Sequence, residues 1–199
     1  MSLRHLAILG SALFVAGCAS SVPSTQVTRF HLGQPLARGE IVVEPLNAAQ
    51  ASSLEFRDQA EAVSAELARL GFKLAPGIAR SELVAVVDVR EQTRQDYDGG
   101  GSGMSVGVGG GSGSYGGGVG VGGSISFPIG GSKSRDWVLT ELSVQIKRRS
   151  EGTMVWEGRA RSEARSGTPY AAPSATIRRL ATALFKDFPG QSGQVVTVK

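Results

Sequence analysis

The 199-residue sequence has little of the chemistry that most enzymes and metalloproteins need. It contains one Cys and two His, which excludes an internal disulfide framework and a Cys-rich zinc site. Aromatic residues make up only 6% of the chain, and its formal net charge of +4 is too small to indicate a nucleic-acid-binding protein. Because 41% of the residues are hydrophobic, the chain can still form a core. We therefore predict no catalytic residues, no metal site and no cofactor.

An export signal comes first in the chain. Arg4 supplies a positive charge, and residues 6–17 form an apolar run too short to span a bilayer as a permanent helix. The run ends in residues 15–18 (VAGC), which resemble the lipobox of bacterial lipoproteins. This resemblance implies cleavage between Gly17 and Cys18, followed by acylation of the Cys18 thiol. The alternative is an ordinary secretory signal in which this Cys stands by chance.

The residues after the lipobox indicate where the mature protein resides. Ala19 follows Cys18, whereas Asp at that position is the usual signal for retention in the inner membrane, so the resemblance implies the outer membrane. We predict an anchor at its periplasmic face, with the membrane as a partner through the lipid on Cys18. Residues 18–28 are small and polar and are interpreted as a lipidated tether.

The rest of the chain, residues 29–199, alternates between strand and helix patterns. A capping box formed by Ser52 and Glu55 predicts a helix that ends before Gly71, and Pro173 begins a second helix. The apolar stripe is predicted as Leu54, Ala60, Val63, Leu67 and Leu70 in the first helix, and as Ile177, Leu180, Ala181, Leu184 and Phe188 in the second. Strands are predicted at 40–45, 72–74, 82–90, 137–149, 153–163 and 194–198.

These patterns predict an α+β fold. The two amphipathic helices need one face of a sheet to cover, so we expect a two-layer sandwich with a mostly antiparallel sheet. The strands at 137–149 and 153–163 place Glu and Arg on the opposite face, where they meet water. A hairpin between them sets Glu141 opposite Arg159 or Arg161.

Several segments together resemble the DUF4136 family of envelope lipoproteins. Besides the lipobox, they are ARLGF (68–72), SELVAVVDV (81–89), the hairpin LSVQIKRRSEGTMVWEGRA (142–160) and LFKDFPG (184–190). The opening stretch 27–36 departs from the Tyr- and Trp-rich start that many members carry. The family has no settled activity, so the resemblance implies a fold and a location in the envelope but no mechanism.

A Gly-rich insertion interrupts the predicted sheet. Glycine occupies 17 of the 33 positions from 99 to 131, and Gly-x-Gly-x-x-Gly occurs at Gly111 and again at Gly118. A dinucleotide-binding loop needs a strand before this motif and a helix after it, and neither pattern is present, so these matches are attributed to composition. Two interpretations remain open: a loop of high chain entropy, or extended arms in which residues such as Val119 and Val121 contact a partner.

A few side chains outside the insertion are candidates for contact with a partner. Trp137 is out of phase with the core residues of its strand, and Arg159 and Arg161 lie on the polar face. We interpret His31 as a surface or strand-edge residue. Asp88 lies inside an apolar strand, where a carboxylate faces outward or pairs with an Arg more often than it performs acid–base chemistry.

The sequence as a whole predicts a non-enzymatic outer-membrane lipoprotein that acts as an adaptor or structural component of the envelope. Its expected partners are the membrane and an envelope protein, with no nucleic acid. The alternative is a binding module that holds a small or lipidic ligand between the helices and the sheet.

Overall fold

A computed structural model describes residues 22–75, 81–94 and 136–199. The predicted signal peptide, Cys18 and the insertion at 99–131 lie outside the described residues. The strands are β1 (Thr25–His31), β2 (Glu40–Pro45), β3 (Lys73–Leu74), β4 (Leu83–Arg94), β5 (Trp137–Arg148), β6 (Met154–Arg165) and β7 (Val195–Val198). The helices are α1 (Leu54–Arg69) and α2 (Pro173–Phe185).

The described strands form one mixed sheet in the order β3-β2-β4-β5-β6-β1-β7. The pairs β4–β5, β5–β6, β6–β1 and β1–β7 are antiparallel, whereas β2 runs parallel to both β3 and β4. Helix α1 packs near β2, β3 and β4, and α2 packs near β6, β1 and β5. The predicted α+β sandwich with a mostly antiparallel sheet is therefore confirmed.

The core lies between the helices and the inner face of the sheet, as the alternating patterns predicted. Leu142, Val144 and Ile146 of β5 are fully buried, and Trp156 of β6 is 1% exposed. The Trp156 ring stacks on Phe185 of α2, with ring centroids 5.5 Å apart. Burying such apolar and aromatic surface is the main stabilising contribution to this fold.

Helix α1 begins one residue later than predicted, because Ser53 is the N-cap. Its side chain accepts a hydrogen bond from the Phe56 backbone N–H at 3.0 Å. The capping role predicted for Ser52 is therefore wrong. Leu54, which was predicted on the apolar stripe, is 76% exposed, and Phe56 is buried instead. Successive helical residues are about 100° apart, so two residues separate opposite faces of the helix.

Helix α2 ends before the position that the Pro-Gly signal indicated. Its last residue is Phe185, and Asp187 adopts a left-handed backbone with φ of 56°. The prediction that Phe188 belongs to the helical stripe is therefore wrong. Phe188 nevertheless joins the core, because its ring lies 5.2 Å from that of Trp156.

Strand β1 occupies part of the segment interpreted as a tether. The strand begins at Thr25, so the predicted tether of 18–28 overlaps the fold by four residues. Its inward residues are Thr25, Val27 and Arg29, all buried. Because only one of these three is apolar, the hydrophobic alternation that identifies a half-buried strand was too weak to detect.

Candidate functional site

The outer face of the sheet, turned away from the helices, carries pairs of opposite charge. Arg161 donates to Glu141 across β5 and β6 at 2.9 Å, which confirms one of the two predicted pairings. Arg159 pairs with Glu157 on its own strand at 2.7 Å. Both arginine side chains are about half exposed to water, so each pair contributes little to stability. This face is a solvated surface whose charges largely neutralise one another.

A groove opens at one end of this face, where β1 does not extend as far as the neighbouring strand β6. The last β1–β6 pair is Thr25 with Ser162, yet β6 continues to Arg165. Pro23 has no backbone N–H and therefore cannot extend the ladder as an ordinary strand residue. The last residues of β6 thus have β5 on one side but no β1 residue on the other. We call this space of about 760 Å³ the strand-end groove.

Two aromatic side chains line the strand-end groove. Trp137 begins β5 directly opposite Arg165, whose guanidinium carbon lies 5.5 Å from the centre of the indole ring. Tyr170 lies in the short 3-10 helix Pro169–Ala171, which precedes α2. Aromatic rings in the wall of a groove give a large contact area at a low cost in conformational entropy.

Helix α2 fixes the position of Tyr170. The Thr176 hydroxyl donates to the Tyr170 carbonyl at 2.7 Å, and Arg179 Nη2 donates to the same oxygen at 3.3 Å. The Arg179 guanidinium also lies 5.9 Å from the Tyr170 ring centre. Burial lowers the pKa of Arg179 from its ordinary value, and the interaction with Tyr170 partly opposes this effect. The groove wall is therefore built on a helix rather than on a loose loop.

The chemistry of the strand-end groove suits binding. Its polar lining includes Arg161, Glu163 and Arg165, and Glu163 lies 3.7 Å from Arg94.

His31 lies outside the strand-end groove. Its Nε2 is 3.0 Å from the Gly190 carbonyl oxygen, and its Nδ1 accepts a hydrogen bond from the Gly33 N–H. Within residues 22–75, 81–94 and 136–199, no group of three His, Cys, Asp or Glu residues is placed to hold a metal ion.

The structure separates the residues predicted for partner contact. Trp137 and Arg161 both line the strand-end groove. Arg159 instead borders a smaller depression of about 120 Å³ on the outer face. Asp88 pairs with Arg90 at 2.9 Å, as expected for a carboxylate on the polar side of a strand. Gly17, Cys18, Val119 and Val121 lie outside the described residues.

Arg29 is a structural residue that the sequence analysis missed. It is 4% exposed, and its guanidinium donates to the carbonyls of Ala183, Leu184 and Lys186 at 2.8–2.9 Å. These carbonyls lie at the C-terminal end of α2, where helical oxygens lack partners and the helix dipole is negative. Burial lowers the pKa of Arg29, and the carboxylate of Asp187 opposes this shift. Nothing in the sequence VTRFH distinguishes such an inward Arg from a surface Arg.

A family model and a curated relative match this chain over most of its length. Residues 27–190 match the model of a family described as a domain of unknown function, DUF4136. An uncharacterized protein of Zymomonas mobilis is 33% identical over an alignment of 227 positions, gaps included. The alignment covers 94% of this chain and 86% of that protein. Neither description assigns an activity.

Two solved structures resemble the chain more distantly. A dodecamer of a PelC variant from Paraburkholderia phytofirmans matches with a TM-score of 0.43 and 15% identity, covering 85% of this chain and 99% of that one. A PDZ domain protein from Parabacteroides distasonis matches with a TM-score of 0.48 and 10% identity; the match covers 89% of this chain but only 39% of that one.

In the part of the chain that the structure describes, neither helix is long and apolar enough to cross a bilayer. The family assignment rests on the match across most of the folded domain and on the relative that is one-third identical. The chain belongs to the DUF4136 family.

Proposed function

We propose that this protein is a non-enzymatic lipoprotein, anchored at the periplasmic face of the outer membrane, that binds an extended segment of an envelope protein in the strand-end groove. One observation supports the binding role: the end of β6 that does not pair with β1 lies in the same groove as the rings of Trp137 and Tyr170. Strand addition to a sheet edge uses backbone hydrogen bonds for affinity and neighbouring side-chain contacts for specificity.

The anchoring part of the proposal rests on the lipobox at 15–18 and on its distance from the fold. Strand β1 begins at Thr25, only seven positions after Cys18. A chain segment of that length spans at most about 25 Å. An acylated Cys18 would therefore hold the folded domain close to the membrane surface.

The packing of the core favours this proposal over a ligand held between helices and sheet. Side chains from both layers fill that interface, including Leu67 of α1, Leu184 of α2 and Val144 of β5, each fully buried. A ligand there would have to displace well-packed apolar side chains, which costs stability. Among residues 22–75, 81–94 and 136–199, the strand-end groove leaves a space of about 760 Å³, so a ligand there displaces none of these core side chains.

The anchor is tested by intact-mass analysis of protein extracted from membranes. We expect an acylated chain that begins at Cys18, and an unmodified chain that begins elsewhere would contradict the anchor. A Cys18→Ala variant should lose the acyl mass and accumulate in an unprocessed or soluble form.

The binding role is tested by in-cell crosslinking and affinity capture of the native lipoprotein. We expect a dominant envelope protein that is captured by the wild type and lost with Trp137→Ala. Arg159→Ala is the matched control, because Arg159 lies on the same face outside the strand-end groove. A third variant replaces residues 100–130 with a short Gly-Ser turn and determines whether the insertion also contributes. Equal capture by wild type and Trp137→Ala would contradict the proposed site.

A further inference from the structure

A second groove lies between α2 and the edge strand β7, and its lining combines apolar surface with positive charge. Val22, Pro23, Ala183 and Val198 provide apolar surface in a space of about 510 Å³. The same space is lined by the basic side chains of Arg178, Arg179, Lys186 and Lys199. We call this feature the cationic groove.

The basic residues of the cationic groove all lie between positions 178 and 199, and contacts with β1 hold them together. Arg29 of β1 holds the Lys186 carbonyl at 2.9 Å and so fixes the end of α2 beside β1. Strand β7 pairs with β1 so that Val198 lies opposite Thr25, which places Lys199 next to the start of β1. The cluster is thus a consequence of tertiary structure.

The charges of the cationic groove remain available to solvent. Arg178, Lys186 and Lys199 are exposed. Asp58 of α1 lies 3.8 Å from Arg178; the Arg178 side chain is 62% exposed and that of Asp58 is 35% exposed, so water partly screens that pair. Three exposed cations around an apolar floor are complementary to a phosphate group attached to an apolar body.

The short stretch of chain between Cys18 and the groove favours a membrane lipid as the molecule that carries this phosphate. Val22 and Pro23 form part of the groove, and Val22 is 54% exposed. Val22 lies only four positions after Cys18, a span of at most about 14 Å. A lipid on Cys18 would therefore bring the bilayer surface within a short distance of these cations.

We infer that the cationic groove is a docking surface for anionic membrane lipid, which binds lipid phosphates through Arg178, Lys186 and Lys199 and orients the anchored domain. This inference deepens the proposed function, since it rests on the Cys18 anchor to select the membrane as the occupant. A lipid chain together with a basic patch gives firmer and more oriented attachment than either alone. The cationic groove and the strand-end groove are neighbours, because Pro23 lines both of them.

The inference is tested on the mature-length chain, residues 18–199, carrying Cys18→Ser, which retains every described element but no acyl group. Its partitioning is measured by sedimentation with vesicles of phosphatidylcholine alone and with vesicles containing about one-third phosphatidylglycerol. Because no acyl group is present, the result does not depend on whether Cys18 is modified in cells. A vesicle assay without preferential binding would therefore contradict the lipid-binding role of the cationic groove. A mass measurement without the acyl group would contradict the Cys18 anchor.

The decisive comparison is between two triple variants of equal charge. Arg178→Gln with Lys186→Gln and Lys199→Gln removes the cationic groove, whereas Lys73→Gln with Arg90→Gln and Arg148→Gln removes three exposed cations elsewhere. Each basic residue near an anionic surface contributes about fivefold to partitioning, so the first variant should bind about a hundredfold more weakly than wild type. The second should stay within about fivefold of wild type.

Three results would overturn the inference. They are equal losses in the two triple variants, equal binding of wild type to both kinds of vesicle, and complete release from anionic vesicles by millimolar inorganic phosphate at constant ionic strength. The last result would identify a site for a small free anion instead of a membrane surface. Circular dichroism of both variants must show wild-type content of helix and strand before the vesicle data are compared.

Discussion

The two faces of the sheet use the same strands for different purposes. The inner face buries Trp156, Leu142 and Val144 against the helices. The outer face carries pairs such as Glu141–Arg161, which remain in contact with water. Apolar burial contributes several kcal/mol per large side chain, whereas an exposed ion pair contributes about 0–1 kcal/mol. The inner face therefore determines the fold, and the outer face can change for binding with little loss of stability.

The two tryptophans give the largest expected contrast between the faces. Trp156→Ala removes a buried ring that stacks on Phe185 and donates to the Pro189 carbonyl at 3.1 Å, so we expect a loss of about 3–5 kcal/mol. Trp137→Ala should cost about 1 kcal/mol, because that ring is only partly buried at the rim of the strand-end groove. Urea unfolding measures both, and similar losses would contradict the division between faces.

Two arginines provide the next contrast. Arg29→Met removes three hydrogen bonds to the end of α2 and leaves buried carbonyls without their donor, with an expected loss of about 3 kcal/mol. Arg159→Met removes a half-exposed cation on the outer face and should change stability by less than about 0.5 kcal/mol. Thermal unfolding at equal protein concentration gives the comparison. A small effect of Arg29→Met would show that water satisfies these carbonyls.

The alternation in β5 and β6 was sufficient to predict the helix-covered sheet, because two residues per repeat assign each side chain to a face. Arg29 could not be predicted in the same way, since its partners are backbone carbonyls more than 150 positions away. The strand-end groove could not be predicted from the sequence either. Trp137 was recognisable as out of phase, but Tyr170 reaches the site only through tertiary packing, and the place where β1 stops depends on register.

The structure places the N-cap of α1 at Ser53, one residue later than the sequence predicted. Ser53→Ala should destabilise the protein by about 1 kcal/mol, because it removes the side-chain acceptor for the Phe56 N–H. Ser52→Ala should be nearly neutral and serves as the matched control. Chemical denaturation of the two variants distinguishes these caps, and the reverse order of stability would restore the capping box predicted from sequence.

The smallest expected effect concerns the cross-strand pair on the outer face. Glu141→Gln should cost about 0.2–1 kcal/mol in low salt, because it removes the charge that meets Arg161 at 2.9 Å. Screening by about 1 M NaCl should reduce the difference between variant and wild type. A loss that is large and independent of salt would mean that the outer face stabilises the fold as the inner face does.

The central claim is that the strand-end groove is the surface through which this protein binds its partner. The most direct measurement places a photocrosslinking amino acid in living cells at Leu139, which lines the groove, or at Ser143, four residues along the same strand and outside it. The account predicts one strong crosslinked product from Leu139 that disappears with Trp137→Ala, and no such product from Ser143. The same product from both positions, or none from Leu139, would contradict it.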